Sequence, residues 1–280
     1  MIPVEELTRL CKEVEGECGL YVSIPETGER FAWNEHFQAY AASTIKVPVL
    51  CLLFQDAEQG RVDLAQKVVV KPENRVGGSG ILQSLNPDLE ISIFDLATLM
   101  MVMSDNIATN QIIDIVGMER VRNFCKEESL NSTWIWQKMI HKGPPPADMP
   151  VGLIPNATTA GDLGGLMERI AAGTIVSPAS CRKMVQIMAG QRLGRLQTLL
   201  PTTERLNPYA DTLQLPAEGK VVAASKGGSK EAEGTFHDTG IFYLPDGRYY
   251  VMAVCTKGPN KTKAIQLIQQ MGLTMYNAMK

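Results

Sequence analysis

Ala41-Ala42-Ser43-Thr44-Ile45-Lys46-Val47-Pro48 places a serine hydroxyl three residues ahead of a lysine. On a helix these two side chains share one face, with roughly 5–6 Å between Cβ atoms. A serine hydroxyl at its ordinary pKa is a weak nucleophile and needs a base within hydrogen-bond reach. Lys46 can act as that base if burial or a neighbouring cation lowers its pKa. Ala41 and Ala42 keep the helix start uncrowded, and free backbone N–H groups there can stabilise a negative oxygen. Taken alone, the pattern also describes an ordinary capped helix start, so the rest of the chain has to decide.

Two further stretches bear on it. Met103-Ser104-Asp105-Asn106 falls at a break between two helical patterns, following the apolar positions Phe94, Leu96, Leu99, Met100 and Val102. That mostly apolar helix reads as a buried central one. The serine can relay a proton, and the asparagine amide can bind a substrate carbonyl. A plain N-cap for the helix 107–116 fits the same residues. Later, Val221-Val-Ala-Ala-Ser225-Lys226-Gly227-Gly228 reads as a strand with a lysine near its end. The glycine-rich stretch Gly77-Gly78-Ser79-Gly80 lacks the Gly-Lys-Ser/Thr ending of a phosphate loop.

The secondary-structure pattern is helix 3–15, a hairpin with strands 20–24 and 29–33, then the Ser43 helix to about Glu58. Helices follow at 118–128, 159–172 and from Ser177-Pro178 to Gly190. Strands return at 221–228, 239–244 and 249–256, and a helix over 261–279 closes the chain. Strands at both ends and helices between them predict an α/β (α+β) fold: one antiparallel sheet built from both termini and flanked by helices. The organisation expected is an α/β lobe from 1–42 plus 196–280, an all-helical lobe from 43–195, and an active site in the cleft between them.

The chain has 280 residues, 45% hydrophobic and 20% charged, which is ordinary globular composition. A net charge of −3 offers nucleic acid no electrostatic footing. No apolar run approaches the ~18 residues that would span a bilayer. Glu5, Glu6, Arg9, Lys12, Glu13, Glu15 and Glu17 rule out a secretory leader at the start, so a cytoplasmic location is expected unless a leader was removed. Six scattered cysteines and three scattered histidines suggest neither a disulfide framework nor a metal cluster, and no cofactor is expected. A monomer is expected.

Ser-x-x-Lys, Ser-Asp-Asn and Lys-x-Gly in this order resemble the class A β-lactamases and penicillin-binding proteins. The resemblance runs along nearly the whole chain and implies a β-lactamase/transpeptidase-like fold. It implies that Ser43 attacks an amide or ester carbonyl and holds the acyl group, that Lys46 activates it, and that Ser104 passes a proton to the leaving nitrogen. It implies substrate contacts from Asn106 and Lys226, an oxyanion hole from the N–H groups of Ser43 and Ser229, and Gly228 beside them. The substrate implied is a small β-lactam, with antibiotic resistance and β-lactam catabolism as the setting; a D-alanyl peptide or an ester is the alternative. A non-catalytic β-lactam or peptidoglycan sensor is a further alternative.

Two departures stand out. The family's Lys-Thr-Gly is Lys226-Gly227-Gly228, which removes a hydroxyl that helps bind the substrate carboxylate. Ser225 and Ser229 are the candidate replacement donors, and Arg192, Arg195, Arg205 and Arg248 are the candidate carboxylate-binding arginines. The family's loop glutamate, which activates the deacylating water, is also missing. Glu127-Glu-Ser-Leu130-Asn131 spells its motif only 23 positions after Ser104, too early to be it. The equivalent position falls near Lys138, Met139 or His141, where no carboxylate stands. His141 and Asp148 are the candidate substitute bases.

Overall fold

The central sheet is covered on both faces, and this decides the architecture. The computed structural model describes residues 1–191, 194–202, 206–258 and 260–280. Helix α1 (Val4–Lys12) leads into the hairpin β1 (Glu17–Ile24) and β2 (Glu29–Trp33). The last third supplies β8 (Val222–Lys230), β9 (Thr235–Tyr243), β10 (Tyr249–Lys257) and the closing helix α8 (Lys261–Met279). These strands form one antiparallel sheet in the order β2-β1-β10-β9-β8. The expected sheet from both termini is therefore present. Side chains alternate across it with period two. Phe242, Leu244, Tyr250 and Met252 join α1 and α8 in one core, while Val222, Ala224, Ile241, Tyr243 and Val251 face the helical insert.

The insert holds α2 (Lys46–Glu58), α3 (Ile93–Val102), α4 (Asn106–Val116), α5 (Met118–Glu127), α6 (Ala160–Ala171) and α7 (Pro178–Ala189). It also carries short strands. β3 (Ala39–Tyr40), β7 (Asn156–Thr158) and β6 (Trp134–Ile135) make one small sheet, and β4 (Lys67–Val69) pairs with β5 (Glu90–Ser92). The central buried helix is α2, buried continuously from Lys46 to Phe54, whereas α3 is only half buried. Apolar content alone did not separate them; position in the bundle did. The side chains of Ser92, Thr159 and Ser177 cap their helices, each accepting a backbone N–H three residues on. All six cysteines are buried and unpaired, and among the described residues no helix is long and apolar enough to cross a membrane.

Strand β9 starts at Thr235, four residues before the sequence pattern suggests, and β8 runs two residues past Gly228. The polar run His237-Asp238-Thr239, of which the sequence pattern assigns only Thr239 to a strand, is completely buried. A loop between α7 and β8 covers it, and α8 seats that loop. Gly272 allows the seating, because a Cβ there would lie 2.0 Å from the Leu196 carbonyl oxygen.

This packing gives a paired expectation. Gly272→Ala should cost about 1–3 kcal/mol through overpacking. Gly165→Ala, in the middle of α6 with nothing within 4 Å of the added carbon, should stabilise by about 0.4–1 kcal/mol. Thermal melts read both. A Gly272→Ala protein that melts at or above the parent would show that the loop does not sit on the helix.

Candidate active site

The Ser43 segment is not an α-helix but a 3₁₀ turn over Ala42–Ile45, which passes directly into α2 at Lys46. In a 3₁₀ turn side chains three apart eclipse, so Ser43 and Lys46 still share one side. Ala42 adopts a left-handed φ of 47° to enter the turn. Ser43 is half buried and makes no side-chain hydrogen bond among the described residues. Lys46 is wholly buried. Its Nζ donates to the Ser104 carbonyl (2.7 Å), to Ser104 Oγ (3.1 Å) and to Asn106 Oδ1 (3.1 Å). Burial first, and the charge of Lys226 second, push its pKa well below the ordinary lysine value, against the pull of Asp105.

Asp105 builds the Ser-Asp-Asn corner. One carboxylate oxygen accepts the Ile107 and Ala108 N–H groups (2.9 and 3.0 Å) and caps α4. The other accepts the N–H groups of Ile81 and Leu82 (2.7 and 2.9 Å). The glycine-rich stretch is thereby strapped onto the corner, and Ser79 O accepts the Asn106 N–H at 3.0 Å. Gly80 must be glycine: its φ is +118°, and a Cβ would lie 2.2 Å from Asp105 Cγ. Ser104 itself sits at φ 52°, and its hydroxyl lies within reach of Lys46 from the insert.

Lys226, also wholly buried, reaches that hydroxyl from β8. Its Nζ donates to Ser104 Oγ at 3.1 Å and to Gly227 O at 2.7 Å. Burial lowers its pKa to about 7, opposed by Asp238 and reinforced by Arg195. A hydroxyl has two acceptor lone pairs and one donor. The two lysines occupy both lone pairs of Ser104, leaving its O–H free to donate into the cleft. Gly228 lies against the Ser43 turn so closely that a Cβ would sit 2.8 Å from Ser43 N.

The cleft has two parts that meet at Ser43, Ser79 and Ser229. The first, about 110 Å³, is lined also by Ser104, Arg195, Lys226, Gly227 and Gly228. The second, about 320 Å³, is bounded by Tyr40, Asn106, the segment 137–141, Pro155 and Lys230. Ser43, Lys46, Ser104, Asn106, Lys226, Gly228 and Ser229 thus converge. His141 lines the second part, but it is exposed and its Nε2 lies 2.9 Å from Pro144 O. Asp148 is exposed and lines neither part. Glu127 ends α5 and lines a different cavity, with Arg61 and Arg120. Ser225 is buried and lines neither part, so Ser229 is the hydroxyl at hand.

Three participants were not singled out by sequence. Arg195 lines the first part and donates from Nη1 to His237 O (2.9 Å) and Gly228 O (3.3 Å). Arg248 is spent on Asp246 and Met279 O at the far turn, and Arg192 and Arg205 lie outside the described residues. Ser79 lines both parts. Asn110 fixes the wall: its Oδ1 accepts the Met139 N–H (2.7 Å) and its Nδ2 donates to Met139 O (3.2 Å). The spacing Asn106-x-x-x-Asn110 put both amides on one helix face and was the available signal. Of Lys138, Met139 and His141, the positions nearest the family's loop carboxylate, Met139 is the one this bonding fixes, and it is buried.

Comparison with known proteins agrees with this geometry. The profile of the β-lactamase enzyme family matches residues 3–279. The chain is similar to a β-lactamase from Sphaerobacter thermophilus DSM 20745, with 26% identity, a TM-score of 0.82 and coverage of 98% of this chain and 96% of that one. It is similar to PBP-A, with 27% identity, a TM-score of 0.79 and coverage of 99% and 96%. A PBP-A variant solved as an acyl-enzyme complex with penicillin G is 28% identical, with a TM-score of 0.79 and coverage of 98% and 95%. No curated protein sequence matches the chain.

Two buried lysines burden stability. The folded-state pKa of Lys226 lies below its unfolded value. Between about pH 7 and the ordinary lysine value, the unfolded chain therefore holds a proton that the folded chain lacks, and stability rises with pH across that window. Lys226→Met should raise the melting temperature at pH 7, with an advantage that shrinks towards pH 10. Melts at pH 7, 8.5 and 10 check this; an advantage that grows with pH would contradict the sign.

Proposed function

The chain belongs to the β-lactamase enzyme family, and from this we propose that it is a serine acyl hydrolase. In this reading Ser43 is acylated by a β-lactam, or by a related amide or ester that carries a carboxylate, and the acyl group leaves slowly. The observation that carries the reading is the Ser104 hydroxyl held by both Lys46 and Lys226 beside Ser43.

Lys46 in its neutral form takes the Ser43 proton as Oγ attacks the carbonyl carbon; burial and the charge of Lys226 lower its pKa and so favour that form. In the resting site its donors are turned to Ser104 and Asn106, and losing one proton frees a lone pair for Ser43. The oxyanion lies at the N–H groups of Ser43 and Ser229, where one such donor is typically worth ~2.7–4 kcal/mol. The C–N bond then breaks as Ser104 gives its proton to the leaving nitrogen, and a lysine Nζ reprotonates Ser104. The substrate carboxylate goes to the small end of the cleft, towards Arg195 and Lys226.

Water has no strong base on the wall that would release the acyl group. Met139 stands there, His141 is turned to Pro144 O, and among the described residues no carboxylate lines either part of the cleft. This favours penicillin-binding behaviour, with a D-alanyl peptide as the alternative substrate, over rapid antibiotic turnover.

Ser43→Ala should abolish covalent labelling by a fluorophosphonate; labelling that survives would refute the nucleophile. Met139→Glu should install the missing base and speed release of hydrolysed penicillin by about 10²-fold, the lower range for general-base catalysis. Absorbance of the lactam reads that release, and an unchanged rate would show that the wall residue is not the limit.

A further inference from the structure

The loss of the family's threonine and the presence of Arg195 occur at the same place. A Cβ on Gly227 would lie 3.1 Å from Arg195 Nη1, tighter than ordinary contact. The guanidinium therefore fills the space that a side chain at 227 would take, and it stacks near Phe236 with its carbon 5.9 Å from the ring centre. Arg195 is carried on a loop, and the loop needs an anchor. Asp238, wholly buried and opposite Gly227 in the β8–β9 register, supplies one. Its Oδ2 accepts the Leu196 N–H at 2.7 Å, and its Oδ1 accepts the N–H of Thr239 at 3.1 Å. Gly194 sets the approach, since a Cβ there would meet Ser225 Oγ at 2.4 Å and Asp238 Oδ2 at 3.3 Å.

We propose that Asp238 is the positioning residue of the carboxylate-binding end of the cleft, holding Arg195 in the space that Gly227 leaves open. The inference rests on the acyl-hydrolase reading above. Asp238 does not line the cleft and touches no substrate; it acts through the loop and through charge. The charged groups facing it are Arg195 from the loop and Lys226 from β8, and burial raises its carboxyl to about 6 against their pull. Above that pH the carboxylate offsets Arg195, together with Lys226 for as long as that lysine holds its proton. Below it the Leu196 N–H loses a charged acceptor, and Arg195 loses its counter-charge.

The experiment compares acylation by benzylpenicillin with acylation by its neutral methyl ester, followed by intact mass. The readout is the ratio of the two second-order rate constants. In the parent protein the ratio should favour the acid and should fall as pH drops through about 6. Asp238→Asn, which keeps the shape, should lower the ratio about tenfold, the low end for a bond to a charged group, and should remove the pH step. Arg195→Ala should lower it similarly, and the double variant should lose little more, because the two act as one unit. Gly227→Ala gives a second route if Asp238→Asn fails to fold: crowding Nη1 should also lower the ratio. Equal loss for both substrates, or additive losses in the double variant, would overturn the proposal while leaving the hydrolase reading intact. No adduct with either substrate in the parent protein would overturn both.

Discussion

One hydroxyl ties the helical insert to the sheet. Ser104 Oγ accepts Lys46 Nζ from the helical insert and Lys226 Nζ from the sheet, each at 3.1 Å. Neither lysine has access to solvent, so each has to find its hydrogen bonds inside the protein. Shifting the insert against the sheet would leave a buried lysine without its partner, which is far more costly than loss of an exposed polar pair. The same arrangement leaves the Ser104 O–H as the only part of that group free to act on a substrate. The constraint that orders the cleft is thus also the one that gives it chemistry.

Holding that geometry requires local strain. Ala42 and Ser104 both adopt left-handed backbone conformations, which cost non-glycine residues about 1–3 kcal/mol each. A charge on either buried lysine disfavours a charge on the other, and burial disfavours both. The four hydrogen bonds to Asp105 and the apolar packing of α2 offset these terms. The site is therefore a preorganised, destabilised region held by a rigid surround, the usual relation between activity and stability.

The residues of the central cluster were legible in sequence because each lies at fixed spacing on one local element. Ser43 with Lys46, Ser104 with Asn106, and Lys226 with Gly228 needed no knowledge of the fold beyond a turn, a helix cap and a strand. The sheet from both termini was legible because its strands read as short apolar runs joined by turns such as Pro245-Asp-Gly247. What stayed hidden depends on contacts between distant segments. His237-Asp238-Thr239 is polar, and only the loop beneath α8 makes it interior. Arg195 is one arginine among four until that loop is placed. Asp148 is a reasonable base by residue type, but the chain carries it to an exposed position away from the cleft. Gly227 looked like a plain loss, whereas the structure fills its space with Arg195.

The most direct test follows the intact mass of the unmodified protein after mixing with benzylpenicillin, with the modified peptide mapped by digestion. The account predicts a single adduct on the peptide holding Ser43, formed faster than it decays and outlasting the free drug. An adduct on another peptide, or none with either the drug or a carboxylate-bearing ester, would contradict the assignment of Ser43 and its lysine pair as an acyl-transfer site.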